Sequence, residues 1–160
     1  MSAKKKKSKH EPEGAILCRN RKARFNYEIE ETFEAGISLK GSEVKSIRTG
    51  RASLNEAFVI IEREEAFLVG AHVAEWPFSH AMNHKPTRRR KLLLHKREIL
   101  RLMGKVREKG LTLVPLFLYA KNGKIKVSVG LARGKRQYDK RQDIRKRDME
   151  READMESKGR

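Results

Sequence analysis

Apolar and polar residues alternate with a period of two through the middle of this chain, between residues 25 and 132. In one of these runs, Phe33, Ala35 and Ile37 alternate with polar or small residues. Successive side chains of a strand point to opposite faces of a sheet, so this spacing predicts strands with one buried face. The alternation therefore predicts a mainly β domain whose strands share one core.

Six segments have the alternation or the short apolar runs that predict strands. They are residues 25–30, 33–39, 57–62, 66–73, 111–120 and 125–131. Segment 111–120 is apolar on both faces and is predicted to be the most deeply covered strand, with a bulge or a sheet edge at Pro115. Asn122 and Gly123 tolerate positive φ, so they predict a tight hairpin between the last two strands.

Two helices are predicted between these strands. Ser42 is predicted to cap a short helix that ends near Gly50, with Glu43 in its first turn. A longer helix is predicted over 95–109, where apolar residues recur at helical spacing, and Gly110 is predicted to end it. This order fits an OB-fold-like (oligonucleotide-binding) closed antiparallel β-barrel of about six strands with two or three flanking helices, because closure removes exposed sheet edges. An α+β sandwich is the alternative.

Charge is the second strong feature of the chain, which has 39 Lys and Arg against 21 Asp and Glu and a net charge of +18. Residues 1–24 carry +7, residues 25–132 carry +7 and residues 133–160 carry +4. A partner that neutralises this charge must be a polyanion: RNA, DNA or, with less support, an anionic membrane surface.

The two ends of the chain lack the apolar residues needed to build a core, which is typical of segments that are disordered alone. The predicted organisation is a disordered basic arm over 1–13, an RNA-binding barrel over 14–132 and a basic tail over 133–160. The tail contains good helix formers, but a helix of this kind is marginal in water. It is therefore predicted to be disordered in isolation and helical only when bound.

The densest positive cluster has seven Lys and Arg within residues 85–97. Its Arg88, Arg90 and Lys91 are predicted to contact RNA phosphates, since arginine presents a planar fork of donors. A merely solvated face is the alternative. A second basic patch precedes the first predicted strand and can join the first in one RNA-binding groove: Arg19, Arg21, Lys22 and Arg24.

Catalytic, metal and membrane signals are weak. Cys18 is the only cysteine, which excludes an intramolecular disulfide and fits a reducing, cytoplasmic setting. No segment approaches the roughly 18 apolar residues of a membrane span. No nucleophile–base pair, metal-ligand spacing or phosphate loop stands out, so a binding protein without catalytic residues, metal or cofactor is expected. A structural ribosomal protein with basic arms and an RNA-modifying enzyme are the alternatives.

Several long motifs resemble those of one family, in the same order along the chain. They are NRKAR at 20–24, IEETFEAGI at 29–37, GSEVKSIR at 41–48, RRRKLLLHKREI at 88–99 and ARGKRQYDKR at 132–141. Over roughly residues 14–150 the chain resembles small protein B, the SsrA-binding protein family of bacteria.

The resemblance implies an OB-fold barrel that binds the tRNA-like part of transfer-messenger RNA and delivers this RNA to stalled ribosomes. It implies that four positions contact the RNA, namely Asn20, Glu34, Leu93 and Lys126. The alternation independently predicts that Glu34 and Lys126 face outward from their strands. Elongation factor Tu and alanyl-tRNA synthetase are implied as partners only indirectly, through the RNA.

The resemblance also implies that the tail forms a helix in the empty message channel of the small ribosomal subunit, near the decoding centre. The residues it assigns to this contact are Lys135, Arg136, Tyr138, Asp139, Lys140, Arg141, Ile144, Arg145 and Lys146. Tyr138 lies among cations, a pattern typical of a ring that stacks on a base while Lys and Arg hold phosphates. The chain departs from the usual family pattern at Lys85, where most members have Asp, and at Tyr138, where many have His.

Overall fold

The computed structural model describes residues 11–79 and 82–159. Its strands are β1 (Ala15–Arg19), β2 (Tyr27–Ile37), β3 (Ala52–Ser53), β4 (Phe58–Glu62), β5 (Glu65–Val69), β6 (His72–Val73), β7 (Arg90–Leu93), β8 (Thr112–Lys121) and β9 (Lys124–Gly134). Its helices are α1 (Ala23–Asn26), α2 (Gly41–Arg48), α3 (Lys96–Lys109) and α4 (Gln137–Lys158). Most of the predicted arm over 1–13 lies outside the described residues. None of the helices in the described ranges has the length and apolar character needed to cross a membrane.

Seven of the strands form one antiparallel sheet in the order β1-β8-β4-β5-β7-β2-β9. β9, the last strand in this order, also pairs along its length with β8, the second strand. β3 and β6 form a separate two-stranded ladder. The prediction of a mainly β, antiparallel chain with flanking helices is therefore confirmed.

The main core lies inside this sheet, where the inward positions of β9 are Ile125, Val127, Val129 and Leu131, as the alternation predicted. A second, smaller cluster covers the other side of β8. Together the two clusters bury both faces of β8, which confirms that it is the most deeply covered strand. The predicted bulge is also present, because the register shifts just after Pro115.

The turn between β8 and β9 has positive φ at both central residues, 52° at Asn122 and 73° at Gly123, as a tight hairpin requires. The strands differ from prediction at several places. Segments 25–30 and 33–39 belong to one strand, β2, with an irregularity between Ile29 and Glu31. Segment 66–73 is divided into β5 and β6, and β1, β3 and β7 were not predicted at all.

The helix α3 closely matches its prediction, with its apolar side against the core and Gly110 in the left-handed conformation at its end. The helix α2 begins differently, because Lys40 and not Ser42 is its N-cap. The Glu43 carboxylate accepts a hydrogen bond from the Lys40 backbone N–H at 2.9 Å, which satisfies a donor at the helix start. The Ser42 hydroxyl instead contacts His84 Nδ1 at 2.9 Å, so the predicted cap at Ser42 is wrong.

The tail forms the 22-residue helix α4, in which no residue is buried. It contacts the rest of the chain near Phe25 and Asn26. Lys140 and Arg147 lie 5.8 Å and 5.7 Å from the Phe25 ring centroid, and the Lys135 backbone N–H donates to Asn26 O at 2.9 Å. That the tail is disordered in isolation stays a prediction.

Candidate nucleic-acid interface

The outer face of the sheet brings distant parts of the chain into one cross-strand row. Gly36 on β2 pairs with Leu93 on β7 and with Lys126 on β9, and Lys126 in turn pairs with Tyr119 on β8. Directly opposed residues of antiparallel strands point to the same face, so Leu93 and Lys126 flank Gly36. A Cβ at Gly36 would lie 3.1 Å from Leu93 Cβ, so glycine at this position lets Leu93 approach the β2 backbone closely.

A groove of about 320 Å³ runs beside this row and joins it to α2 and the hairpin turn. It is lined by the exposed Leu93 and by three cations, Arg48, Lys124 and Lys126. Arg48 Nη2 donates to Gly123 O at 3.2 Å, which holds its guanidinium against the hairpin. None of the three cations forms an ion pair with a carboxylate in the described part of the chain. The groove therefore combines an apolar contact with unneutralised positive charge, as binding to a nucleic acid requires.

Glu34 lies two residues before Gly36 on β2, on the same face of the sheet and opposite Ser128. The Tyr119 hydroxyl donates to Glu34 Oε2 at 2.7 Å, and Lys121 Nζ lies 3.1 Å from the same oxygen. The hydrogen bond from Tyr119, with help from Lys121, lowers the pKa of Glu34 despite partial desolvation. Among the described residues, none donates to Glu34 Oε1. Glu34 thus presents an ionised, oriented acceptor that suits a base amino group or a ribose 2′-OH.

Of the four positions implied by the resemblance, Glu34, Leu93 and Lys126 lie together on this face, whereas Asn20 does not. Asn20 is nearly buried, and its Nδ2 donates to Pro115 O at 2.8 Å. Its backbone N–H also donates to Leu116 O at 2.9 Å. These bonds tie the end of β1 to the bulge of β8, about 10 Å along that strand from the cross-strand row at 3.3 Å per residue. Asn20 therefore links β1 to β8 at a distance from the cross-strand row, and its direct contact with RNA stays a prediction.

Arg90 is fully buried, so the prediction that it contacts RNA phosphates is wrong. On β7, Arg90 and Leu92 point inward while Lys91 and Leu93 point outward. The Arg90 guanidinium pairs with the buried carboxylate of Glu43 through Nε, and donates to Ala71 O and Pro86 O at 3.1 Å each. All of its nitrogens are therefore used inside the protein.

The rest of the densest positive cluster is also largely neutralised. Arg88 Nη2 lies 2.5 Å from Glu43, Lys91 Nζ lies 3.1 Å from Glu65, and Arg89 pairs with Glu62. Lys91 stays half exposed and can still reach a phosphate. The segment with the most Lys and Arg in sequence, residues 85–97, thus has most of its positive charge paired with carboxylates in the fold.

The cations around α1 line a different part of the surface. Lys22 pairs with Glu56 at 2.9 Å, and both side chains are exposed. The Arg24 guanidinium lies 5.9 Å from the Phe117 ring centroid, while Arg21 is exposed. The cleft beside Lys22 shares no lining residue with the groove at Leu93, so these cations do not join that groove.

The tail residues assigned to the ribosome are mostly free to bind. Lys135 pairs with Asp143 within the tail, and Lys140 is half buried at Phe25. The remaining assigned residues are exposed: Arg136, Tyr138, Asp139, Arg141, Ile144, Arg145 and Lys146. Their exposure fits a helix that presents its side chains to a surface outside this chain.

Sequence reasoning missed Tyr119, the residue that orients Glu34. The two-residue hairpin could have revealed it, because a turn at Asn122 and Gly123 places Tyr119 directly opposite Lys126. Arg48 carried no comparable signal, since its approach to the hairpin depends on tertiary packing. No group of three or more His, Cys, Asp or Glu residues that could hold a metal occurs in ranges 11–79 and 82–159.

Comparisons with known proteins match this architecture. The family model described as SmpB protein matches residues 17–159. The SsrA-binding protein of Geotalea uraniireducens is 53% identical over 138 residues, which is 86% of this chain and 91% of that protein. The SsrA-binding protein of Acidothermus cellulolyticus is 57% identical over 137 residues, 86% of each chain.

A solved structure also resembles the fold. It is described as "tmRNA-SmpB: a journey to the center of the bacterial ribosome", and one of its chains is 48% identical with a TM-score of 0.65. The match covers 82% of this chain and 96% of that chain. Because the family model and these relatives span most of its length, the chain belongs to the SmpB protein family.

Proposed function

We propose that this chain binds the tRNA-like part of transfer-messenger RNA through the sheet face that holds Glu34, Leu93 and Lys126, and delivers that RNA to stalled ribosomes. The observation that carries the proposal is the juxtaposition of these three residues, which are up to 92 positions apart in sequence, beside one cationic groove. The relatives are named for binding SsrA, and the similar solved structure is described with tmRNA and the bacterial ribosome, which supports this choice of partner.

Each group on the face has a distinct chemical role in this proposal. Lys126, with Lys124 and Arg48, neutralises backbone phosphates and makes binding sensitive to salt. Glu34 Oε1 accepts hydrogen bonds from a base amino group or a 2′-OH, which favours RNA over DNA where the 2′-OH is the donor. Leu93 packs against sugar or base and excludes water from the contact.

We infer that the strand order returning to β8 corresponds to an OB-fold barrel, with residues 14–132 as its RNA-binding domain. Outward residues on adjacent strands of such a barrel form one binding face, which fits the positions of Glu34 and Lys126. The chain acts by binding in this proposal and catalyses no reaction. It works in the cytoplasm, and elongation factor Tu and alanyl-tRNA synthetase meet it indirectly, through the RNA.

The tail supplies the second half of the proposed function. The exposed helix α4 enters the empty message channel of a stalled small subunit, with Tyr138 stacking and Lys140 and Arg141 holding phosphates near the decoding centre. A long helix with no buried residue gains its stability from such a surface and not from the sheet. The helix therefore reports that message is missing.

Substitution of Leu93 tests the proposed face. Leu93→Ala removes the apolar contact from the groove and is expected to weaken binding to a tRNA-like RNA about tenfold, since burial of the remaining leucine surface contributes roughly 1.4 kcal/mol. Gel mobility shift with purified RNA measures the change. Leu100→Ala on α3 is the matched control, because Leu100 is 47% exposed and Leu93 is 55% exposed. Equal effects of the two substitutions, or no effect of Leu93→Ala, would contradict the proposed face.

A further inference from the structure

The loop between β6 and β7, residues 74–89, presents apolar side chains to solvent that no part of the proposed function uses. Phe78 is 76% exposed and Met82 is 85% exposed. The Trp76 ring meets the Phe78 ring edge to face, with centroids 5.6 Å apart. Single exposed apolar residues are ordinary, but two large exposed side chains beside a partly exposed tryptophan, within seven positions of one loop, are typical of a contact surface.

The neck of this loop is held by one asparagine. The Trp76 backbone N–H donates to Asn83 Oδ1 at 3.1 Å, and Asn83 Nδ2 donates back to Trp76 O at 2.9 Å. The Ser79 backbone N–H also donates to Trp76 O at 3.1 Å. Because these bonds fix the backbone on either side of the ring, Trp76 is presented with little entropy left to lose on binding.

A buried histidine ties the loop to the first turn of α2. His84 Nε2 donates to Val73 O at 2.8 Å, since a carbonyl can only accept, and His84 Nδ1 lies 2.9 Å from the Ser42 hydroxyl. An open cleft of about 640 Å³ lies between the loop and the helix. Trp76 and Met82 line one side of it and Lys40 and Lys45 line the other.

The charges beside the cleft determine the kind of partner it fits. Lys40 and Lys45 are exposed, and neither forms an ion pair within the described part of the chain, unlike the cations of the 88–91 run. Glu75 is the only acid in residues 74–89. An apolar protein segment would leave both ammonium groups unmatched, whereas an unpaired nucleotide supplies a base for the tryptophan ring and phosphates for the lysines.

The helix α2 also shows which nucleic acid this cleft would meet. Lys40, the N-cap of α2, and Lys45, in its last turn, line the cleft, and Val44 and Arg48 line the groove at Leu93. An eight-residue helix is about 12 Å long at 1.5 Å per residue, so the two sites are neighbours along one element. A structured RNA seated on the sheet face would extend over the loop.

We propose that the Trp76 loop and α2 form a second contact for the same transfer-messenger RNA, in which an unpaired base stacks on the Trp76 ring and flanking phosphates lie near Lys40 and Lys45. This inference rests on the proposed function, because it takes the RNA partner from it. It assigns the loop a specificity role, since only an RNA with an unstacked base at that position can use it.

Trp76 is the only tryptophan of the chain, so its fluorescence reports on this loop alone. Titration of the full-length protein with a tRNA-like RNA is expected to quench the fluorescence and to protect Trp76 from acrylamide, at the same RNA concentration that gives half-saturation in a gel shift. Trp76→Ala is expected to weaken binding about tenfold, within the range of stacking on one aromatic side chain. Thermal melting of this variant checks that the fold is retained.

A charge variant tests the loop without altering its packing. Lys40→Ala with Lys45→Ala is expected to weaken RNA binding and lower its salt dependence, while Arg107→Ala with Lys109→Ala at the end of α3 leaves the wild-type salt dependence largely unchanged. Two results together would overturn the loop contact: no change in wild-type fluorescence on titration with the RNA, and wild-type affinity of Trp76→Ala. If Leu93→Ala still bound weakly, the sheet face would stand. Quenching by ribosomal subunits but not by the tRNA-like RNA would also overturn the loop contact. Absence of wild-type binding to the RNA would instead contradict the proposed function itself.

Discussion

Tyr119 lies buried on the sheet, yet its hydroxyl reaches the exposed carboxylate of Glu34 at 2.7 Å. Tyr119→Phe keeps the ring packing and removes only this donor. We expect RNA affinity to fall about three- to tenfold, because Glu34 loses a charge-assisted hydrogen bond of about 1.5–3 kcal/mol that orients it. Gel shift with the tRNA-like RNA measures the change, and Tyr27→Phe on β2 is the matched control.

A double-mutant cycle separates orientation of Glu34 from general loss of structure. If Tyr119 acts through Glu34, Tyr119→Phe should have little further effect in a Glu34→Ala background, which has no acceptor for the hydroxyl. An equal loss of affinity in both backgrounds would mean that Tyr119 supports the sheet and not the carboxylate. Thermal melting of each variant provides an independent measure of the structural effect.

A second prediction at the residue scale concerns the buried ion pair of Glu43 and Arg90 and its contribution to the stability of the fold. Burial opposes the ionised form of Glu43, but hydrogen bonds from Arg88, Lys40 and Arg90 outweigh it, so the pKa of Glu43 lies below its usual value near 4.5. A carboxyl group whose pKa is lowered by folding stabilises the protein above its unfolded pKa and loses that contribution as pH falls through the folded pKa. Urea unfolding should therefore show stability declining below about pH 4.5.

Glu43→Gln is expected to lower the free energy of unfolding at pH 7 by about 3–5 kcal/mol, because it leaves the Arg90 charge buried and uncompensated. Its decline at acid pH should also be shallower than that of the wild type. Glu62→Gln, which breaks the exposed pair with Arg89, should cost less than about 1 kcal/mol. Similar losses for the two variants would show that burial does not set the strength of the Glu43 pair.

At the scale of elements, hydrophobic periodicity predicted the strands that alternate or are buried on both faces, as in β8, β9 and their hairpin. It failed for β7, because Arg90 occupies an inward position that the alternation reserves for an apolar residue. Its partner Glu43 lies 47 residues away, so the pairing that permits an inward charge is invisible in local sequence. β1 was missed because Ala15–Arg19 is short, does not alternate, and pairs irregularly with β8.

The same contrast applies to the candidate site. The outward positions of Glu34 and Lys126 follow from the period of two, and their strands were predicted. Leu93 was predicted as a site residue only through the family resemblance. Its place on the face depends on the pairing of β7 with β2, which the local sequence does not show. Free charge could not be predicted either, because it depends on which cations the fold pairs with Glu43, Glu62 and Glu65.

At the scale of the whole molecule, the proposed RNA-binding face and the proposed ribosome contact lie on separate parts of the chain. The sheet face and the groove use none of α4, which contacts the fold near Phe25 and Asn26. Residues 135–160 contribute +3 and residues 1–10 contribute +5 to the net charge of +18. Removal of the tail thus takes less charge from the chain than removal of the first ten residues.

Truncation after Gly134 keeps β9 complete and removes α4. We expect the truncated protein to bind the tRNA-like RNA within about threefold of the wild type, because the small change in charge alters the counterion contribution only slightly. Rescue of ribosomes stalled on a message without a stop codon, measured as alanine transfer from the RNA to the nascent peptide, should be lost. Deletion of residues 1–10 is the charge control and should reduce rescue far less, although it removes more positive charge. If loss of rescue followed the amount of charge removed, or if truncation after Gly134 abolished RNA binding, the tail would act as a general polyanion contact and not as a sensor of the empty channel.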